Sequence, residues 1–339
     1  MKLLLVLGAG ASRNLGPTDD SMPLMSDWST ALSEALDQHE EGLAAACHLN
    51  PNMQGPEFEE NLGLLLRWEQ VRELEERFQL LGGPQAHNVP NGVREARKRQ
   101  TKRLEAIKDI LHSTLYDQFG LEQVDDQRAK AAYEKLLDRL GDPELIVATT
   151  NYDRVVERAL WLMNRKPNAG FEEQPPGSPK LNPTGMIERR ADQTPVIHLH
   201  GAVGWYEDEN GVVTDYFADK SFNSTLGAPV VLYPDPDKDP INEALVSGLW
   251  AEFRDALAWA ERILVLGHSL NDPALVKALG PITTKTPTVV GWHTSGDKET
   301  CEAKLPFAHP VKLDFGPKEI KADRSLNALM EKDFTPAGR

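Results

Sequence analysis

The chain has 339 residues, with 37 Lys and Arg against 52 Asp and Glu, a net charge of −15. That length suits one large domain or two modest ones, with ample room for a core. The acidic balance argues against a protein that grips duplex phosphates and against one that docks on anionic membranes. Direct nucleic-acid binding is therefore not expected, nor is a membrane partner.

The two cysteines, Cys47 and Cys301, exclude a disulfide framework and a zinc site built from Cys-x-x-Cys pairs. They fit a reducing compartment. No apolar run reaches the ~20 residues of a membrane span. The apolar start, Leu3 to Leu7, ends at once in Gly8-Ala9-Gly10 and reads as a buried strand, not an export signal. A cytoplasmic location is expected.

Leu3–Leu7 is the first strand, continuous in apolar residues as in parallel sheets covered on both faces. Glycines and a helix follow, with Ser26 or Asp27 as the cap of a helix running through Leu36. Glu57 to Leu81 reads as a helix stopped by Gly82-Gly83-Pro84. A further helix, about Val93 to Phe119, carries Arg94, Arg97, Lys98, Arg99, Lys102, Arg103 and Lys108, the one dense basic run. A solvated helix face explains such a run adequately; a docking surface for an acidic partner or for nucleic acid is the sharper alternative. Another helix, near Gln127–Leu140, leads into a strand at Leu145–Thr150 and a helix from Tyr152 to Met163.

The Pro-rich stretch from Pro167 to Pro183 reads as a loop. Pro195–His200 is the third strand and Ala228–Tyr233 a fourth. A helix over Asn242–Ala260 precedes strands at Arg262–Leu266, Thr288–Trp292 and Val311–Phe315. Strands alternating with helices predict an α/β, Rossmann-like, doubly wound, mainly parallel sheet. The expected organisation is a catalytic domain over 1–315 with a mainly helical insertion at about 30–140, then a tail over 316–339.

Every notable polar cluster directly follows a predicted strand, where open α/β sheets bind ligands. The first is Gly8-Ala9-Gly10-Ala11-Ser12, small residues that let backbone approach a diphosphate ahead of a helix N-terminus. Arg13 stands where the usual third glycine falls, and a plain tight turn is the simpler alternative. The second is Thr149-Thr150-Asn151-Tyr152-Asp153, in which Asn151 offers both a donor and acceptors while Asp153 holds it or caps the next helix.

The third is His198-Leu199-His200-Gly201. Two residues apart in a strand, the histidines share a face, with His200 nearer the strand end. No carboxylate or cysteine has ligand spacing to them, so no metal site is read here. The fourth is Gly267-His268-Ser269-Leu270-Asn271-Asp272, where Gly267 gives backbone access and Ser269 a hydroxyl. Asp272 before Pro273 reads as a helix cap.

In this order the four motifs resemble the sirtuin superfamily and, more narrowly, the sirtuin-like domains of bacterial antiphage defence systems. The resemblance spans about residues 3–315, and Phe58-Glu59-Glu60-Asn61-Leu62 resembles an acidic-hydrophobic helix of the defence branch. It implies NAD as the ligand, with Gly8, Ala9, Gly10, Ala11 and Ser12 along the diphosphate. It implies Asn151 and Asp153 around the nicotinamide ribose, His200 as the family histidine, and Gly267, Ser269 and Asn271 on the cofactor's adenosine half.

Protein deacylases of the superfamily usually carry a four-cysteine zinc ribbon, which two cysteines cannot build. Ala202-Val203-Gly204-Trp205 also lacks a peptide-binding signature. NAD is therefore expected as substrate, with no zinc and with water as acceptor: an NAD+ hydrolase releasing nicotinamide and ADP-ribose. A cyclase, an ADP-ribosyltransferase and a non-catalytic NAD or ADP-ribose sensing module remain open alternatives. A free NAD-depleting enzyme would kill its own cell. Restraint is expected from homo-oligomerisation and from an accessory sensor protein, a HerA-type translocase ATPase or an Argonaute-like protein.

Overall fold

The fold is seen in a computed structural model that describes residues 1–18, 22–49, 51, 53, 57–58, 60–62, 91–172, 180–188, 192–216, 223–232, 244–293, 295–317 and 321–322. Two compact units emerge, one formed by residues 1–24, 118–232 and 239–339, the other by residues 25–117 and 233–238.

The larger unit is built on a parallel sheet. Its strands are β1 (Lys2–Leu7), β2 (Glu144–Thr149), β3 (Lys166–Asn168), β6 (Gln193–His198), β10 (Arg262–Leu266), β11 (Thr288–Trp292) and β12 (His309–Asp314), with β13 (Lys321–Ala322) antiparallel at one edge. Their order is β13-β12-β11-β10-β1-β2-β6-β3. Strand β1 lies in register between β10 and β2, with Leu5 opposite Leu264 on one side and Val147 on the other.

The apolar runs explain why these strands are central. In β1, Leu3, Leu5 and Leu7 pack into one core while Leu4 and Val6 pack into another. Leu145 and Val147 split from Ile146 and Ala148 in the same way, as do Leu264 and Leu266 from Ile263 and Val265. Side chains alternate across a strand, so a continuous apolar run needs a helical layer on each face.

One layer is α4 (Asp126–Arg139) with α5 (Val155–Leu162), bringing Ala132, Tyr133, Leu136, Val156 and Leu160. The other is α6 (Ala244–Trp259), α7 (Pro273–Thr283) and α8 (Ser295–Lys304), bringing Phe253, Leu257, Leu275, Leu279 and Cys301. Each large apolar side chain so buried is worth roughly 1.5–3 kcal/mol. The sheet with helices on both faces is the doubly wound, Rossmann-like α/β fold expected from the sequence.

Two expectations are corrected. The Pro-rich stretch is not all loop: its described parts form β3, β4 (Phe171–Glu172) and β5 (Lys180–Leu181), whereas residues 173–179 lie outside the described ones. Ala228–Val231 is a strand, β9, but of a second, antiparallel sheet ordered β4-β5-β8-β7-β9, with β7 at Gly201–Glu207 and β8 at Val213–Asp215. The physical reason is edge position. Pro167 and Pro229 sit in β3 and β9, each at the end of its sheet, where a missing N–H breaks no ladder.

In the smaller unit, α1 (Met25–His39) and α3 (Asn91–Phe119, apart from its last turn) flank the short α2 (Leu43–Ala46) in sequence. Ser26 and Asp27 lie inside the first turn of α1, so neither is the residue that precedes the helix. Trp28 is fully buried, edge-on to Phe58 at 5.3 Å, and its indole N–H donates to Thr114 Oγ1 at 3.2 Å. Of the helix read over Glu57–Leu81, only residues 57–58 and 60–62 are described, and they are helical. In the basic run, Arg99, Lys102 and Arg103 are exposed and Arg103 pairs with Glu40 at 2.7 Å. The side chains of Arg94, Arg97 and Lys98 lie outside the described residues. Helix α4, within the span expected for the insertion, packs on the sheet of the larger unit. Of the tail after residue 315, only 316–317 and 321–322 are described. No helix among the described residues is long and apolar enough to cross a membrane.

Candidate active site at the carboxyl edge of the sheet

From β1 the chain order runs to β2 and β6 on one side and to β10, β11 and β12 on the other. β1 and β10 are thus the neighbouring strands at the topological switch point of the sheet, where open α/β sheets bind ligands. Here the two glycine motifs meet. Gly8 N–H donates to Leu266 O and Gly10 N–H to Gly267 O, both at 2.9 Å. A Cβ on Gly8 would lie 2.6 Å from Gly267 O, and one on Gly267 2.0 Å from Ala11 N. Gly267 also has a left-handed φ of +61°.

The glycines thus serve first to let two backbones touch. The helix expected directly after them is replaced by two 3₁₀ turns, Ala9–Ala11 and Arg13–Leu15. Ala11 N–H donates to Gly8 O and Ser12 N–H to Ala9 O, so the amides of Gly8, Gly10, Ala11 and Ser12 are engaged within the protein. For Gly267→Ala we expect a left-handed cost of about 1–2 kcal/mol plus the clash with Ala11. The melting temperature should fall by at least ~2 °C in scanning calorimetry; an unchanged melt would contradict this packing.

Asn151 emerges from β2 toward the same loop. It is 7% exposed, and Nδ2 donates to Gly8 O at 3.1 Å and to Ser12 Oγ at 3.2 Å. Its backbone N–H donates to Thr149 Oγ1 at 3.0 Å. Its carboxamide oxygen Oδ1 is buried with no hydrogen-bond partner among the described residues, an arrangement that costs free energy unless a ligand or water donates to it.

Asp153 is buried too. Its carboxylate accepts from Val155 N–H at 3.1 Å and from the Ser12 hydroxyl. Burial pushes this carboxyl above the usual range, against the lowering effect of those donors and of His198. The Ser12 hydroxyl therefore joins Asn151 to Asp153, and Asp153 also supports the start of α5.

The two histidines do not share an environment, which corrects the expectation that both point one way. β6 ends at His198, and His200 lies in a turn closed by Gly201 at φ +73°. A Cβ on Gly201 would sit 2.0 Å from Val230 O, so glycine is required where β9 crosses the turn. Leu232 N–H donates to His200 O at 2.7 Å and the Trp250 indole to Leu199 O at 3.1 Å, which fixes the turn. His200 Nε2 lies 2.8 Å from Asp272 Oδ2, with both residues buried to more than nine-tenths in their side chains.

His198 instead belongs to a buried charge cluster. Its Nε2 lies 2.7 Å from Glu157 Oε2, and Glu157 Oε1 accepts from Arg154 Nε at 2.9 Å. Arg154 also binds Asp215 of β8, through contacts of 2.5 and 2.9 Å. Burial pushes Glu157 up, but Arg154 and His198 outweigh it and leave the carboxyl at about 2. At Asp215 burial, together with the neighbouring Glu157 charge, outweighs the lowering effects of Arg154 and His198 and keeps the carboxyl raised. Sequence reading missed this cluster. The available signal was Glu157 one helical turn beyond Asp153, within an otherwise apolar face.

The 267–272 loop is held from two sides. Leu270 N–H donates to His268 Nδ1 at 2.8 Å, so Nε2 of that ring carries the proton toward Thr150 Oγ1, 3.2 Å away. Lys304 donates to Leu270 O and to Asn271 Oδ1. Ser269 and Asn271 are exposed on this loop, at the same edge of the sheet as Asn151 and His200. Asp272 does cap α7, Oδ1 accepting from Ala274 and Leu275 N–H, while its other oxygen meets His200. Among the described residues no group of three or more His, Cys, Asp or Glu is placed to hold a metal ion.

Residues 145–295 match the model of the SIR2-like domain family. That span contains Asn151, Asp153, His200, Gly267, Ser269 and Asn271, and a sirtuin-like domain occupies this part of the chain. No curated protein matches the sequence. Similar solved structures include a mutant Sir2 homologue in complex with ADP-ribose, at 15% identity over 90% of each chain with a TM-score of 0.38. A Sir2–p53 peptide–NAD+ structure is 14% identical over 91% of this chain and 86% of that one, with a TM-score of 0.36.

Proposed function

We propose that this site hydrolyses the bond between nicotinamide and ribose in NAD+, releasing nicotinamide and ADP-ribose, and that the protein acts as an NAD-depleting effector in antiphage defence. The observation that carries the reading is Asn151, buried at the switch point of the sheet with an unpartnered acceptor. The SIR2-like match over the same residues supports it.

The reaction is NAD+ plus water giving nicotinamide, ADP-ribose and a proton. The C–N bond breaks with its electron pair going to nitrogen, so a cationic leaving group departs neutral and the ribose becomes oxocarbenium-like. Such a step calls for placement and electrostatics more than for a strong nucleophile. In this reading Asn151 Oδ1 accepts a hydrogen bond from the ribose or from the attacking water. Asp153, through Ser12, fixes the Asn151 carboxamide. His200 takes the proton released when the water oxygen bonds to the anomeric carbon; histidine suits this because its unperturbed pKa is about 6.5. Gly8 to Ser12 border the diphosphate, and Gly267, Ser269 and Asn271 the adenosine half.

Restraint of the activity is assigned to homo-oligomerisation and to an accessory sensor, a HerA-type translocase ATPase or an Argonaute-like protein. The test is mass-spectrometric product analysis of NAD+ incubated with the wild type and with His200→Ala, each with and without the neighbouring gene's product. The wild type should yield equimolar nicotinamide and ADP-ribose, and His200→Ala about 10²-fold less or below. Intact NAD+ in every wild-type arm would overturn the reading, and a cyclic or protein-linked ADP-ribose would replace hydrolysis by cyclisation or transfer.

A further inference from the structure

We propose that Asp272 is a positioning residue for His200: it fixes the imidazole in the Nε2–H tautomer and so makes Nδ1 the nitrogen that carries the lone pair. The inference rests on the hydrolase reading of this site, but its central claim concerns a proton on a ring and is measurable without turnover.

The geometry assigns different tasks to the two carboxylate oxygens. Oδ1 accepts from Ala274 N–H at 2.8 Å and from Leu275 N–H at 3.1 Å, so it closes the N-terminus of α7. Oδ2 stands 2.8 Å from His200 Nε2. An ionised carboxylate only accepts, so the ring nitrogen facing it must carry a proton. The neutral ring then has its lone pair on Nδ1, the form needed to receive a proton.

The cap makes the arrangement rigid. Rotating the carboxylate to free Oδ2 would also break the two bonds that begin α7, because Pro273 follows at once and has no N–H of its own. His200 is held from its own side through its carbonyl, which accepts from Leu232 N–H. Two separately anchored backbones thus converge on the His200–Asp272 contact. A nucleophile or base oriented by a third group is a recurrent catalytic arrangement.

Asparagine at position 272 is the informative substitution. Asparagine caps helices as well as aspartate does, and the cap requires an oxygen at the Oδ1 position. With its oxygen committed there, the amide must turn Nδ2 toward His200. A donor facing Nε2 forces that nitrogen to accept, which drives the ring into the opposite tautomer. Asp272→Asn therefore reverses the tautomer while keeping the fold; in a triad where an asparagine substitution does this, turnover falls by about 10⁴.

Two measurements test the proposal on the full-length protein. Long-range ¹H–¹⁵N correlation spectra of histidine-labelled protein, with His200 assigned by the signals lost in His200→Gln, should show protonated Nε2 in the wild type and protonated Nδ1 in Asp272→Asn. Kinetics should show a kcat at least ~10²-fold lower for Asp272→Asn, with KM for NAD+ within about threefold and an unchanged melting temperature. Asp272→Ala should lose both kcat and about 1–3 °C of melting temperature, because it also removes the cap.

An unchanged tautomer in Asp272→Asn, or a wild-type ring protonated at Nδ1, would overturn the proposal. So would turnover within threefold of wild type. A wild type that never cleaves NAD+ removes the hydrolase reading instead, and the spectra still decide whether Asp272 sets the His200 tautomer.

Discussion

Asn151→Ala is expected to lower kcat/KM for NAD+ hydrolysis by about 10²–10³, the usual cost of deleting one preorganised hydrogen-bonding group at a reacting centre. Alanine removes the Oδ1 acceptor that no other described residue uses. It also removes the Nδ2 donor to Gly8 O and Ser12 Oγ. The second loss belongs to stability. Gly8 O keeps its bond from Ala11 N–H, so the penalty sits near the low end of the ~1–3 kcal/mol expected for a buried group losing a partner.

The two effects separate by assay. Product chromatography reads the first, and thermal melting with calorimetric titration of ADP-ribose reads the second. A folded variant that binds ADP-ribose within about tenfold of wild type yet fails to cleave NAD+ is the expected outcome. Turnover above a tenth of the wild-type rate would remove Asn151 from the mechanism.

Arg154→Ala should be the most damaging single substitution for stability. The guanidinium is 4% exposed and lies between Glu157 and Asp215, which are also buried or nearly so. Deleting one member of a buried ionic cluster leaves uncompensated charge and costs about 3–5 kcal/mol. For a chain of 339 residues, at roughly 2.1 cal/mol/K of unfolding entropy per residue, that is a fall of roughly 4–7 °C in melting temperature. Lysine should recover little, because a single ammonium cannot present a planar fork to two carboxylates.

The pH dependence has a definite sign. In the wild type the Glu157 carboxyl is depressed from 4.5 to about 2, so its contribution is complete above 4.5 and is lost as the pH falls toward 2. Without the guanidinium, burial raises both carboxyl groups above their unfolded values. Protonation then favours the folded form, and the deficit against the wild type should shrink as the pH is lowered from 7.5 to 5. A deficit that stays constant over that range would show that the lost packing of Arg154, not its charge, dominates. The cluster starts one residue after Asp153, so the same variant should also loosen the Asn151–Asp153 turn.

Much of the parallel sheet was legible because each central strand is an unbroken apolar run. Leu3–Leu7 falls within β1, and Arg262–Leu266 and Thr288–Trp292 read from sequence as they stand in the fold, since a short apolar run bounded by turn residues suits a strand covered on both faces. The polar clusters were legible as positions, each placed directly after a strand. Their partners were not. Asp272 reads as a cap before Pro273, and it is one, yet its second oxygen reaches a histidine 72 residues earlier. Arg154 and Glu157 stand three residues apart, but Asp215, on β8, lies 61 residues from Arg154, a separation that no local pattern spans. Of the second sheet only the Ala228–Tyr233 strand was read from sequence; β4, β5 and β8 are two or three residues long, too short to show an alternation.

The amino-acid order therefore determined the α/β class, the central strands and the sheet edge at which chemistry gathers, all of which follow from periodicity and glycine placement along a continuous segment. Tertiary structure decided which side chains bond to one another there. It placed Asn151 on Gly8 and Ser12, His200 on Asp272 and His198 on Glu157, and it set glycine against glycine between the loops of β1 and β10. Such pairings depend on strand order and loop closure over tens to hundreds of residues, and no local pattern of polarity records them.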